Sequence, residues 1–278
     1  MVPCRPATGL APWRCPVCTA PLGRPDPSRW ACATGHSFDV SRDGYVNLLI
    51  TRSGRSRTPG DDAEMVRARR RFLSTGAYDP LTTAVAALAR GGGGEVVLDV
   101  GCGEGRHTRA LEQPVVLGVD VAKPAVGAAA RAHPSGWYAV ASAASLPLGD
   151  GSADAAVDVF GPVFADELAR VVRPGGIVVT AHPGPRHLVE LRALVYDRPQ
   201  LHEVKPPLRH APDRFELLSS EPLRWQVAVE GPAALGDLFA MTPYRWHGPP
   251  DIDHRLETAG AGGFVATAEV RLTCYRRR

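Results

Sequence analysis

Val96-Val-Leu-Asp-Val-Gly-Cys-Gly-Glu-Gly105 decides the fold. An apolar run of five, interrupted only by Asp99, meets glycines at 101, 103 and 105. A short apolar segment bounded by glycine reads as a buried strand. Glycines at its end let the backbone turn sharply and come close to a ligand. The spacing predicts a helix over Arg106–Leu111, whose first turn would offer unpaired N–H groups to an anionic group. The alternation continues downstream, with strands expected at Val115–Val119, Tyr138–Ala141, Ala155–Phe160 and Gly176–Ala181. Helices are expected at Pro124–Ala132 and Asp166–Val172, and another at Leu81–Arg90 before the four glycines 91–94. Strands alternating with helices make an α/β fold, a parallel sheet covered on both faces.

Working outward, Asp61 with Glu64 three residues on has the form of a capping box for an Arg-rich helix running to Leu73. Past His187 the pattern loosens into a helix near 188–196, a Pro-rich loop around 199–212, and strands at Glu221–Val229 and Phe264–Cys274. Expected units are 1–50, a small metal-stapled module; 51–80, a basic linker and helix; and 81–278, the α/β domain.

The glycine turn is neither a dinucleotide fingerprint, because Arg106 stands where a small residue is wanted, nor a phosphate loop, because no Gly-Lys-Ser/Thr follows. It suits S-adenosylmethionine instead. Asp99 precedes the turn, and Asp120 closes the next apolar strand, placed to accept both ribose hydroxyls. Ala141 to Leu148 has the form of the adenine-side segment of class I methyltransferases, with Ser142 where an Asp is common.

The second pattern is Cys15-x2-Cys18, thirteen residues, then Cys32-x3-His36. Four such ligands satisfy tetrahedral Zn2+ and leave no open position for water, so the site is expected to be structural. The module around it holds little apolar material, and metal is expected to supply most of its folding free energy. Cys4, Cys102 and Cys274 read as small apolar fillers.

The composition, 44% hydrophobic and 22% charged, excludes a disordered chain. No run approaches the about 20 apolar residues of a membrane span, and the N-terminus lacks the apolar stretch of a secretory signal; a cytoplasmic, thiol-reduced protein is expected. Charge is unevenly spread. Residues 1–75 hold twelve Arg against six acids, whereas the remainder holds 20 basic and 23 acidic groups. A basic front suits a phosphate-bearing partner.

Longer segments make the reading specific. Cys15–His36, Asp39 to Leu49, Arg55 to Met65, Ala68 to Leu73, Pro183-Gly-Pro-Arg-His-Leu188 and Met241-Thr-Pro-Tyr244 resemble the bacterial 23S rRNA guanine-N1-methyltransferases over nearly the whole chain. The resemblance implies a zinc domain joined to a class I, Rossmann-like methyltransferase, dimeric, acting on a hairpin loop in domain II of 23S rRNA. It extends to the branch conferring resistance to tylosin and other macrolides, the guanine-748 type; the guanine-745 housekeeping type is the alternative. By the same resemblance Cys15, Cys18, Cys32 and His36 bind zinc. Gly101, Gly103, Glu104, Gly105, Arg106 and His107 line the donor together with Asp99, Asp120 and Ser142, while Tyr78 and His187 add donor contacts.

Methylation at N1 requires loss of the N1 proton. Asp158, Glu167 and His182 are candidate bases on spacing, none stands out, and the catalytic residue is left unassigned. Two rival readings remain at this level: a small-molecule methyltransferase, for which the metal module and the Arg-rich 52–71 segment have no use, and a non-catalytic RNA-binding protein on a degenerate methyltransferase fold.

Overall fold

The computed structural model describes residues 13–50 and 60–278. Cys4 and the arginines at 52, 55 and 57 lie outside the described residues, as does most of the expected linker. In chain order the strands are β1 (Leu22–Asp26), β2 (Arg29–Cys32), β3 (Ser37–Asp39), β4 (Val46–Asn47), β5 (Val96–Val100), β6 (Val115–Asp120), β7 (Trp137–Val140), β8 (Ala153–Val159), β9 (Val172–Pro183), β10 (Phe215–Val229) and β11 (Phe264–Arg277). The helices are α1 (Ala63–Ser74), α2 (Asp79–Gly91), α3 (Lys123–Ala132), α4 (Ala165–Val171), α5 (Val189–Val195), α6 (Gly231–Ala240) and α7 (Ile252–Ala261).

Among the described residues β1, β2 and β3 form one antiparallel sheet, and the other strands form an eight-stranded sheet in the order β10-β11-β9-β8-β5-β6-β7-β4. From β4 to β9 neighbouring strands run parallel. β11 lies antiparallel to both β9 and β10. The crossover helices bury the parallel strands on both faces, which explains their near-continuous apolar sequences. Adjacent residues serve opposite faces: Val97, Val157 and Val179 pack with Leu81, Val85, Leu191 and Leu238, while Leu98, Ala156 and Val178 pack with Leu168 and the N-terminal unit.

Three expectations change in detail. The helix after the glycine turn is a single 3-10 turn, Thr108–Ala110. The cap of α1 is Asp62 rather than Asp61: its Oδ1 accepts from the N–H of Glu64 at 2.9 Å and of Met65 at 2.8 Å, an arrangement worth about 1 kcal/mol. Asp61 instead pairs with Arg69. The strand expected at Gly176–Ala181 starts earlier, at Val172, and carries Arg173-Pro-Gly-Gly176 as a bulge, since Ala153 pairs with Val172 and Ala155 already with Ile177.

The N-terminal unit shares its core with the large domain, so metal is not its sole support. Trp13, Leu22, Trp30, Val46 and Leu48 are buried in the same cluster as Leu98, Leu117 and Trp137, and Leu22 alone contributes about 1.5–3 kcal/mol. Trp30 meets Trp137 edge to face at 5.5 Å. β4 pairs with β7, and Arg14 N–H donates to Pro147 O.

Candidate active site and metal centre

The glycine turn joins β5 to the 3-10 turn with positive φ at Gly101 (74°), Gly103 (54°) and Gly105 (86°), which only glycine adopts freely. At Gly105 a Cβ would also lie 2.9 Å from the Cβ of Ala129, so this glycine lets α3 approach the turn. The turn's own amides are largely engaged: Gly101 and Cys102 N–H donate to Val119 O, and Gly105 N–H to Cys102 O. Gly103 N–H donates to Asp120 Oδ2 at 3.0 Å, while Asp120 Oδ1 accepts from Ala122 N–H at 2.8 Å. The expected anion-binding helix start is therefore replaced by a hydrogen-bonded carboxylate-and-turn unit. Each Asp120 oxygen keeps a further lone pair for a hydroxyl.

Burial shapes the other acids. Asp99 is held by Thr108 Oγ1 at 2.5 Å, and burial pushes its carboxyl up to about 7, with Asp158 and Asp120 adding to the rise. Glu104 is 4% exposed, its Oε1 is buried without a partner, and burial raises its pKa against the pull of Arg109, Arg70 and Arg69. An orphaned carboxylate oxygen and an acceptor with spare capacity at the next strand end fit a cationic amino-acid group and a ribose, the two polar parts of S-adenosylmethionine.

Arg106 pairs with Asp79 at the start of α2, and His107 Nδ1 lies 3.0 Å from Thr82 Oγ1, with burial pushing the imidazole down to about 4. Both side chains fasten the turn to α2. Ser142 closes its own turn at the end of β7, accepting Ala144 N–H at 3.2 Å. Tyr78 and His187, far apart in sequence, meet edge to face at 6.3 Å, and Tyr78 also meets Trp225 at 5.4 Å. His187 Nδ1 accepts Glu269 N–H at 3.3 Å, and burial holds His187 down at about 4, so it is neutral.

Two residues were not legible as site residues. Phe160, at the end of β8, sits at φ 60°, a backbone state costing an aromatic residue about 1–3 kcal/mol. Its ring lies 5.4 Å from His187. Trp225 donates its Nε1–H to Ala77 O at 2.7 Å and so walls the Tyr78 side. Of the three candidate bases, Glu167 is bound to Leu146 N–H and to Arg170, so it holds the 146–150 segment. His182 lies at the end of β9, and Asp158 beneath Gly161, whose N–H it accepts at 2.9 Å.

In the N-terminal unit the ligand atoms of Cys15, Cys18, Cys32 and His36 all lie within 4.8 Å of one another. Cys18 Sγ to Cys32 Sγ is 3.7 Å and Cys32 Sγ to His36 Nδ1 is 3.4 Å. Tetrahedral Zn2+ with its usual bond lengths requires about 3.8 and 3.5 Å for these edges, so the quartet fits the ion. Thr34 Oγ1, 3.1 Å from Cys18 Sγ and 3.0 Å from Cys32 Sγ, supplies the outer hydrogen bond that orients such thiolates.

The parallel sheet with its antiparallel β11, together with the glycine turn at the end of β5 and the acid at the end of β6, defines an S-adenosylmethionine-dependent methyltransferase. Comparison with known proteins agrees: residues 98–180 match the model of a methyltransferase domain, and residues 13–57 match the zinc-ribbon family described as RlmA, N-terminal. The 23S rRNA (guanine(748)-N1)-methyltransferase of Streptomyces fradiae is 40% identical, covering 95% of this chain and 96% of that protein. A Micromonospora griseorubida protein, provisionally described as a 23S rRNA (guanine-N1)-methyltransferase, is 38% identical over the same shares. Among solved structures the YcgJ protein of Bacillus subtilis matches with TM-score 0.48 at 16% identity, covering 70% of this chain and 98% of that one. The chain belongs to the 23S rRNA (guanine-N1)-methyltransferase family. It is an enzyme with a structural zinc, and no helix among the described residues is long and apolar enough to cross a membrane.

Proposed function

We propose that this protein transfers the methyl group of S-adenosylmethionine to N1 of a guanine in a hairpin loop of domain II of 23S rRNA. The modification is of the guanine-748 type and confers tylosin tolerance. The observation that carries this reading is the 40% identity, across 95% of the chain, to the Streptomyces fradiae enzyme whose name states that position. The donor rests on Glu104, Asp120 and the Gly101–Gly105 turn, flanked by Asp99, Arg106, His107 and Ser142, with Tyr78 and His187 walling the cleft. Cys15, Cys18, Cys32 and His36 ligate the zinc. The protein works in the cytoplasm as a homodimer, for which sedimentation of the purified protein is the check. Unpaired loops suit such chemistry, because a Watson–Crick edge within an A-form helix cannot be presented to an enzyme.

Reverse transcription of 23S rRNA tests the reading. Cells expressing the protein should give a stop one nucleotide before the methylated guanine, a nucleoside mass of N1-methylguanosine, and raised tylosin tolerance. A stop at guanine 745 would select the housekeeping type. Identical stops and masses with and without the protein would overturn the rRNA assignment.

A further inference from the structure

We propose that the corner between β8 and α4 receives the target base, with Phe160 stacking the extruded guanine and Asp158 taking its N1 proton. This deepens the reading above and rests on it. Three polar atoms at the ends of neighbouring strands are buried without a hydrogen-bond partner: Asp158 Oδ2, Thr180 Oγ1 and His182 Nε2. Asp158 is 1% exposed and Thr180 fully buried. Asp158 pairs in register with Thr180, and His182 follows Thr180 by two residues, so all three point to the same face of the sheet. A buried polar atom without a partner is costly unless a ligand completes it.

The row has the polarity of one base. Guanine presents N1–H and an amino group as donors and O6 as an acceptor. A carboxylate oxygen takes N1–H, while the Thr180 hydroxyl and the protonated nitrogen of a neutral His182 donate to O6. Adenine would set its unprotonated N1 against the carboxylate, two acceptors face to face. Burial keeps Asp158 at about 7, the range that suits a general base near neutrality. On the same face a neighbouring cavity of about 260 Å³, lined by His182, Arg271 and Thr273 together with His202, Glu203 and Lys205, opens beside His182.

The segment 160–164 follows Asp158 directly, and its two aromatic rings are partly exposed, Phe160 40% and Phe164 41%. Phe160 is held in its left-handed backbone state against His187, and single-stranded bases stack on such rings. The corner also faces the donor turn: a Cβ on Gly101 would lie 3.8 Å from Gly161 Cα. S-adenosylmethionine supplies an electrophilic methyl group bound to a sulfonium. As N1 bonds to that carbon, the carbon–sulfur bond breaks with its electron pair left on sulfur, and the N1 proton passes to Asp158 Oδ2. Charge developing on O6 is met by Thr180 and His182.

The test uses the full chain, loaded with zinc, and a 23S hairpin RNA. If the wild type forms no N1-methylguanosine, the functional reading fails and this proposal with it; if it does, the variants decide. Asp158→Asn, which still accepts Gly161 N–H, should bind donor in calorimetry as the wild type does and lose about 10²- to 10⁴-fold in single-turnover transfer. Transfer within threefold of wild type, or loss of donor binding in folded protein, would overturn the assignment of Asp158. Phe160→Ala changes a partly exposed ring and decides even where Asp158→Asn does not fold. It should raise the RNA KM about tenfold or more with little change in kcat, and Phe160→Tyr should restore it. With thienoguanosine, a fluorescent guanine analogue that keeps N1–H and the 6-oxo group, at the target position, fluorescence should change on binding to wild type and to Phe160→Tyr but not to Phe160→Ala. Equal KM and equal fluorescence in all three proteins would overturn the platform.

Discussion

Asp120 Oδ2 accepts the N–H of Gly103 at 3.0 Å, so the acid at the end of β6 and the glycine turn at the end of β5 are one bonded unit. In the proposed donor site the carboxylate assigned to the ribose thus also shapes the loop assigned to the rest of the donor. Removing it acts twice.

Asp120→Ala should weaken S-adenosylmethionine binding by about 1–3 kcal/mol, the scale of a lost charged hydrogen bond, and Asp120→Asn by less, because its amide oxygen still accepts Gly103 N–H. Isothermal titration of both variants checks the order. Unchanged affinity in Asp120→Ala would place the ribose elsewhere.

Freshly purified protein should carry one Zn2+ per chain by elemental analysis. Cys15→Ser should release it and also lower the unfolding temperature of the large domain, since Trp13, Leu22 and Trp30 share a core with Leu98 and Leu117. Separate unfolding of the two regions, with the large domain unmoved, would contradict that shared core.

Asp99 gives a pH signature. Its folded carboxyl is raised from 3.8 to about 7, so between those values the folded state binds more protons than the unfolded state, and stability from this group falls as pH rises through the window. His107 and His187, lowered from 6.5 to about 4, act in the opposite sense, removing stability as pH falls from 6.5 toward 4. Asp99→Asn keeps an acceptor for Thr108 and should therefore gain stability over wild type at pH 8 relative to pH 4. Chemical denaturation at the two pH values measures the difference; a gain that shrinks with pH would refute the raised pKa.

The arginines of α1 divide by geometry. Arg69 bonds Met241 O at 2.8 Å and Arg71 bonds both oxygens of Asp237, so they dock α1 on the C-terminal part, whereas Arg67 and Arg70 are exposed. Arg67→Ala and Arg70→Ala should each lower the salt slope of RNA binding by about 0.7–0.9 without changing thermal stability. Arg71→Ala should cost stability instead. Filter binding across a salt series, with melting curves, separates the two groups.

The α/β class, the glycine turn and the zinc quartet were legible because each is carried by short-range pattern. Apolar runs reveal strands, glycines at 101, 103 and 105 reveal a turn no other residue adopts freely, and Cys-x2-Cys with Cys-x3-His brings ligands together within one small unit. The extended segments from Cys15 to Tyr244 carried the family.

Tertiary structure alone decided the rest. That Tyr78 meets His187, that Asp62 rather than Asp61 caps α1, and that the N-terminal unit shares the sheet's core follow from packing between segments far apart in the chain. Asp158, Glu167 and His182 were equivalent in sequence, because a carboxylate or imidazole carries no local mark of whether its partners are satisfied. Glu167 is consumed by Arg170 and Leu146 N–H, while Asp158 keeps an unpartnered oxygen in the interior. That difference is a property of burial by distant strands, and burial is what turns an ordinary acid into a candidate base.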